Sequence, residues 1–274
     1  MGVSLSINDI RSVTTEMARY DGMNYSGYNF SFLKRRLGYV FSELRVRKLP
    51  QFIERLSDES FRESVKYYMA VNVTEMFRDP GFWRSLRANV FPLLRKKEWR
   101  VWFPDISSGE EVYSLAVLLY EDGLLDQVDI AGHHPSVQKC REVSEGILNA
   151  GNNDLNYSNY KRIENGEGFE NFFSCENGQT KLRSDLLEHC RFSPRWFTQF
   201  ENSGKFELIM FRNTGINFTA QRWEDNLKMV VEHLVPGGII AIGVKESVPG
   251  SMKNLLVPVD RKESIYRKPE SKNN

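Results

Sequence analysis

The sequence predicts an α/β protein in two parts: a small all-helical unit, then an open parallel-sheet domain carrying a small antiparallel β insertion. Three observations lead there. Residues 6–68 repeat apolar side chains at helical spacing only. From Trp99 onward, short apolar runs alternate with helical patterns, the rhythm of a parallel sheet with crossover helices. Asn177-Gly178, a strong hairpin pair, sits inside a stretch that breaks that rhythm. The expected boundaries are residues 1–70 for the helical unit, 71–85 for a linker and 86–274 for the sheet domain, with the insertion at about 152–192.

In chain order, Ser6 or Asn8 caps a first helix bearing Ile10, Val13 and Met17, and Asp21–Asn29 is turn-like. Phe32, Leu33, Leu37, Val40, Phe41 and Leu44 mark a second helix, whose other face and end carry Lys34, Arg35, Arg36, Arg45, Arg47 and Lys48. Such a cluster is either a solvated face or a docking surface for an acidic helical partner. Phe52, Ile53 and Leu56, then Phe61, Val65, Tyr68 and Met69, give two further helices. Asn72–Arg78 links to a turn at Asp79-Pro80 and an amphipathic helix over Phe82–Leu94. Strands are expected at Trp99–Phe103, Gln127–Ala131, Phe206–Phe211, Ile239–Gly243 and Ile265–Arg267. Helices are expected from Glu110, from about Pro135 to Ala150 and over Thr219–Leu234, the last stopped by Pro236-Gly237-Gly238. Asn149–Gly168 reads as irregular, and Glu170–Arg183 as the hairpin.

With 274 residues, 37 basic and 36 acidic side chains give a net charge of +1, so no global field draws the chain to nucleic acid or a membrane. Cys140, Cys175 and Cys190 are odd in number and irregularly spaced, which does not suggest a disulfide framework, and they share no zinc spacing with the four histidines. Neither a secretory leader nor an apolar run of about 18 residues is visible, so a cytoplasmic setting without membrane insertion is expected.

The most informative stretch is Trp102-Phe-Pro-Asp-Ile-Ser-Ser-Gly-Glu-Glu-Val-Tyr-Ser114: a strand, a polar turn and a helix N-terminus. In open α/β sheets that edge binds ligands. Two glutamates there suit a cationic or hydroxyl-rich ligand, and equally a helix dipole. Three other polar clusters fall on the same edge: His133-His134, Arg212-Asn213 and Lys245-Glu246.

Taken together, four motifs resemble those of the chemotaxis receptor glutamate methyltransferase (CheR) family over nearly the whole chain. Asn72-Val-Thr74-Glu-Met-Phe77-Arg78 is similar to its linker, and Ser107-Ser-Gly109-Glu110-Glu111-Val-Tyr113-Ser114 to its first cofactor loop. Glu207-Leu-Ile-Met-Phe-Arg212-Asn213 matches a strand end, and Gly237-Gly238 to Gly243 with Lys245-Glu246-Ser247 a later strand. The resemblance implies a Rossmann-like S-adenosylmethionine methyltransferase domain behind the helical unit. It implies methyl transfer to glutamates of chemoreceptor helices, docked on the basic helix Lys34–Lys48. Thr74, Arg78, Ser107, Gly109, Glu110, His133 and Asn213 fall at cofactor-binding positions, with Glu110 on the methionine amino group. Arg78, Arg212 and Asn217 fall at catalytic ones, with Arg212 steering the substrate carboxylate. No metal is implied.

Three positions depart from the pattern. Pro104-Asp105 stands where the family has Ala-Gly, His133 where an aspartate grips the ribose, and Asn217 where a tyrosine helps place the methyl group or substrate. The hairpin turn also lacks the Gly-Gly-Tyr associated with tail-peptide docking. Two readings follow: a protein-glutamate O-methyltransferase with an altered pocket, or a catalytically inactive CheR-like module that binds or regulates in a chemosensory pathway.

Overall fold

The computed structural model describes residues 5–71, 74–94, 98–163, 168–176, 178–199 and 204–270. Four helices come first: α1 (Ile7–Met17), α2 (Phe30–Glu43), α3 (Leu49–Arg55) and α4 (Glu59–Met69). Ser6 and Asp9 form a reciprocal capping box on α1, while Asn29 and Asp58 cap α2 and α4. Their apolar stripes meet in one core centred on Val13, Leu37, Val40, Phe52 and Val65. Arg36, read with the basic face, instead turns its guanidinium onto the Tyr68 and Met69 carbonyls at the end of α4.

The linker leads into α5 (Pro80–Asn89) and a single turn, α6 (Phe91–Leu94), so the expected Phe82–Leu94 helix is broken at Val90. The sheet domain follows as β1 (Trp99–Phe103), α7 (Glu110–Glu121), β2 (Val128–His133), α8 (Val137–Ser144) and α9 (Asn153–Lys161). The hairpin β3 (Phe173–Glu176) and β4 (Gln179–Leu182) comes next, then β5 (Cys190–Ser193), β6 (Phe206–Phe211), α10 (Ala220–Glu232), β7 (Leu234–Ile242), β8 (Val257–Asp260) and β9 (Ile265–Arg267). The seven-stranded sheet has the order β5-β2-β1-β6-β7-β9-β8. Its first five strands are parallel, and β9 runs antiparallel to both β7 and β8. From β1 the chain goes one way to β2 and later the other way to β6, so a crevice opens between the carboxyl ends of β1 and β6. Both sheet faces are buried. Val101, Phe103 and Ile130 pack on one side, and Trp102, Ile209 and Phe211 on the other.

Several boundaries differ from expectation, each for a physical reason. The second strand runs through His133, which pairs with Ser193 of β5. That four-residue β5 lies in the stretch read as insertion, yet it is an edge strand of the main sheet. The helix after β2 stops at Ser144 rather than near Ala150. The Asn-rich stretch read as irregular holds α9, because its amides have buried backbone to satisfy. Asn156 accepts from the Met76 N–H (2.8 Å) and Asn159 donates to the Met76 carbonyl (3.0 Å), while Asn152, just ahead, donates to the Thr74 carbonyl (2.6 Å). Pro236-Gly237-Gly238 lies inside β7 as an irregular segment, held because Gly237 N donates to the Lys268 carbonyl. Strand β8 had no counterpart in the sequence reading. The hairpin forms where expected; Asn177, like Asn72, lies outside the described residues.

The helical unit is fastened over the carboxyl edge at two places. Glu63 of α4 accepts from Ser136 Oγ (2.6 Å) and Gln138 N (3.1 Å), capping α8 from the other unit. Asn29 N donates to the Asn217 carbonyl (2.8 Å), Thr219 N donates to the Gly27 carbonyl (3.0 Å), and Tyr28 forms an antiparallel bridge with Phe218. Gly27 is required for that approach, since a Cβ there would lie 2.5 Å from Arg222 Cγ. Among the described residues, no helix is long and apolar enough to cross a membrane.

Replacing Asn156 with alanine leaves the buried Met76 N–H without its acceptor. The expected cost is about 1–3 kcal/mol of unfolding free energy, read as a lowered urea midpoint at unchanged m-value. An unmoved midpoint would show that α9 does not hold the linker.

Candidate functional site

The site starts from the β1–α7 turn. Asp105 Oδ1 accepts from Ser107 N (2.9 Å), which holds Ser107 in the left-handed region (φ 49°) and lets its Oγ donate to the Val71 carbonyl (2.8 Å). Gly109 at φ 97° is the N-cap of α7, and a Cβ there would lie 2.8 Å from the Tyr113 ring. Glu110 follows, 1% exposed, accepting from Thr74 Oγ1 (2.7 Å), which also lies 2.9 Å from Ser108 Oγ. Burial raises the Glu110 pKa, and the two hydroxyls oppose that rise.

The linker is bent under restraint. Phe77 (φ 56°) and Asp79 (φ 58°) are both left-handed, and Arg78 stands between them. Phe77 N donates to Ser114 Oγ (2.8 Å), which in turn donates to the Glu110 carbonyl (2.6 Å). Arg212, at the end of β6, has a fully buried side chain. Its guanidinium donates to Asp79 Oδ2 (2.9 Å) and to Glu111 Oε1, and lies 3.7 Å from the centre of the Phe82 ring. The two terminal nitrogens expected to steer a substrate carboxylate are thus committed to two carboxylates of the chain itself. Arg78 is more available: about a third exposed, with Glu75 at 3.8 Å. Asn213 (φ 58°) donates its N–H to Glu246 (3.0 Å), which also accepts from Gly243 N (2.6 Å) and Ile216 N (3.1 Å).

These elements enclose a cleft of ≈ 180 Å³ over the β1/β6 crevice. Of the expected site residues, Thr74, Arg78, Ser107, Arg212, Asn213 and Asn217 line it, together with Asp105, Glu111 and Arg35 of α2. Glu110 faces a neighbouring cavity of ≈ 270 Å³ with Lys139 and Glu142, and is joined to the cleft by its bond from Thr74. Gly109 shapes the turn without lining the cleft. His133 is directed elsewhere: its Nδ1 accepts from Trp102 Nε1 (2.8 Å) inside the core, and burial pulls its pKa down to about 4, leaving a neutral ring.

Beyond Asp105, above the end of β2, the cleft continues into a remnant of only ≈ 30 Å³. Tyr25, Tyr28 and Phe32 from the helical unit and Trp196 from the loop after β5 wall it, with His134 and Pro135. Tyr28 stacks on Phe32 (centroids 4.8 Å apart) and meets Phe218 edge-on (4.7 Å), while Tyr25 meets Trp196 at 5.5 Å. Asp105 stands at the junction of the two spaces. Desolvation raises its pKa to about 6, the Ser107 N–H opposes this, and Glu111 adds to it.

For S-adenosylmethionine the fit is divided. Thr74 and Arg78 suit the methionine end, with Glu110 beside Thr74. The ribose end offers no acceptor at His133, whose Nδ1 is taken by Trp102, and retains only ≈ 30 Å³, too little for an adenosyl group. As arranged, the residues do not fit the whole cofactor. The aromatic wall and the asparagines gripping the linker were missed by sequence reasoning. Their partners lie far along the chain, so no local spacing announces them.

A family model described as "CheR methyltransferase, SAM binding domain" matches residues 72–264. A putative methyltransferase of Pseudomonas putida, Cher3, is 29% identical over 254 residues, 91% of each chain. A chemotaxis protein methyltransferase of Listeria monocytogenes is 26% identical over 238 residues, 83% of this chain and 85% of the other. Among solved structures, the N-methyltransferase NodS of Bradyrhizobium japonicum shares 11% identity, covering 71% of this chain and 97% of that one at a TM-score of 0.41.

The raised Asp105 pKa predicts a pH signature. Between the ordinary value of 3.8 and about 6, the native chain binds more protons than the unfolded one, so this group lowers stability as pH rises through that window. Asp105→Asn is expected to gain on the order of 2 kcal/mol over wild type at about pH 7.5, and nothing at about pH 3.5, in paired urea titrations. A difference that stays constant with pH would show that Asp105 titrates normally.

Proposed function

The chain belongs to the CheR methyltransferase family, and from that membership we propose that it recognises an acidic helical segment of a chemoreceptor through the α2 face, as a binding module of a chemosensory pathway. One observation carries this reading: Arg35 of α2 and Arg78 of the linker line the same cleft. A helix lying along Lys34, Arg35, Arg45 and Arg47 would bring its glutamates to the cleft mouth. Those cations are exposed, and no carboxylate ion pair involves any of them among the described residues. Exposed charges of this kind govern encounter rate and partner choice more than affinity.

S-adenosylmethionine is the cofactor of the matched domain. The family reaction joins its activated methyl group to a glutamate carboxylate, which requires alignment and exclusion of water more than acid–base chemistry. The narrow ribose end and the commitment of Arg212 to Asp79 and Glu111 support recognition without turnover in this conformation. A second reading, methyl transfer to receptor glutamates, is favoured by Thr74, Arg78 and Asn213 standing on one cleft.

Lys34→Glu with Arg35→Glu is expected to weaken binding of an acidic chemoreceptor helical fragment about tenfold or more and to flatten its salt dependence. Unchanged affinity would remove α2 as the docking face. Calorimetry of the same protein with S-adenosylmethionine separates the readings. Absence of heat at about millimolar ligand supports the binding module. Saturable binding with methyl incorporation into the fragment establishes the second.

A further inference from the structure

The narrowness of the ribose end has a definable cause. The wall that fills it, Tyr28 and Trp196, is also the wall of a second and larger cavity of ≈ 280 Å³ on its far side. That rear cavity lies between the loop Ala18–Asn24, the turn Phe197–Gln199 and α10. Asp21, Gln199, Arg222 and Asn226 contribute polar walls, and Phe218 an apolar one. Tyr28 and Trp196 thus line both spaces.

Trp196 is the less anchored of the two. Its backbone is fixed, since Trp196 N donates to Gln199 Oε1 and Gln199 N to the Trp196 carbonyl. Its indole Nε1, however, is buried with no hydrogen-bond partner among the described residues. On the rear side, the amide of Asn226 is likewise buried with Nδ2 unpartnered. Buried donors without acceptors mark an arrangement that is not the most favourable one for those groups. Two residues with acceptor groups, Asp21 and Gln199, line the rear cavity, joined to each other by the bond from Gln199 Nε2 to Asp21 Oδ1 (2.5 Å). Tyr28 is held differently. Its bridge to Phe218 and the adjoining Asn29–Asn217 bond fix the strand-like segment that carries it.

We propose that Trp196 is a gate on the adenosyl end of the cleft: rotation of its indole into the rear cavity opens the space above the end of β2 to an adenosyl ligand. Tyr28 is the fixed jamb against which it closes. The helical unit thus supplies the fixed side of the gate as well as the docking face. The inference rests on the family reading of the cleft but is independent of what α2 binds.

The test is calorimetry of the full chain with S-adenosylhomocysteine, on wild type, Trp196→Ala and Trp196→Phe. A gate predicts that Trp196→Ala tightens binding at least tenfold, with Trp196→Phe intermediate. Should Trp196→Ala not fold, Trp196→Phe alone must still bind more tightly than wild type. Folded variants that bind no better than wild type overturn the gate, as does wild-type binding already as tight as the variants'. Binding of the acidic receptor fragment, measured on the same variants, is expected to be unchanged. Failure of that docking in wild type would remove the α2 reading while leaving the gate result standing.

Discussion

Four elements converge on the guanidinium of Arg212. It ends β6, its two terminal nitrogens hold Asp79 of the linker and Glu111 of α7, and its flat face rests on Phe82 of α5. No water reaches the side chain, so both carboxylates are needed: removing either partner from such a buried set costs several kcal/mol, about 3–5 in comparable cases. The left-handed turn at Asp79 exists to bring its carboxylate there, and Glu111 is spared for the task because Glu110 turns to Thr74. The crevice of the sheet is therefore closed on one side by an ion-paired knot, and the shape of the cleft follows from it.

The opposite side is closed by the helical unit. Glu63 caps α8 and the Tyr28–Asn29 segment zips to Phe218, so the unit is tied at both flanks of the crevice. Between these ties, the aromatic wall occupies room that an open α/β sheet offers to ligands. The helical unit and the sheet domain are in this sense one site, with recognition and access built into the same interface.

Much of this was legible in sequence. The β1–turn–α7 stretch announced itself by an apolar run, a polar turn and paired glutamates, and β6 by five apolar residues interrupted only by Glu207. Caps at Ser6, Asn29, Ser136 and Thr219 mark helix starts by a local rule. What failed was non-local or one residue long. Strand β5 has only four residues and is recognisable only once β2 is beside it. Ending β2 at Ala131 made His133 a loop residue. Extended by two, the strand's alternation puts His133 on the face of Ala131, beside Trp102, and away from the crevice. The asparagines in and just ahead of α9 read as an irregular stretch because their bonds go to Thr74 and Met76, some eighty residues away.

Those asparagine bonds share one property: every one of them ends on backbone. Around Thr74 and Met76 the path of the linker is set by amide and carbonyl groups that any residue supplies, while Met76 and Phe77 are held by their own burial in the core and Asp79 by its ion pair with Arg212. Glu75 and Arg78 are thus the exchangeable positions on that path facing the cleft, whereas Thr74 is bonded through its hydroxyl to Glu110. A lineage of such proteins can change what the cleft accepts by point substitution there, with the architecture left untouched.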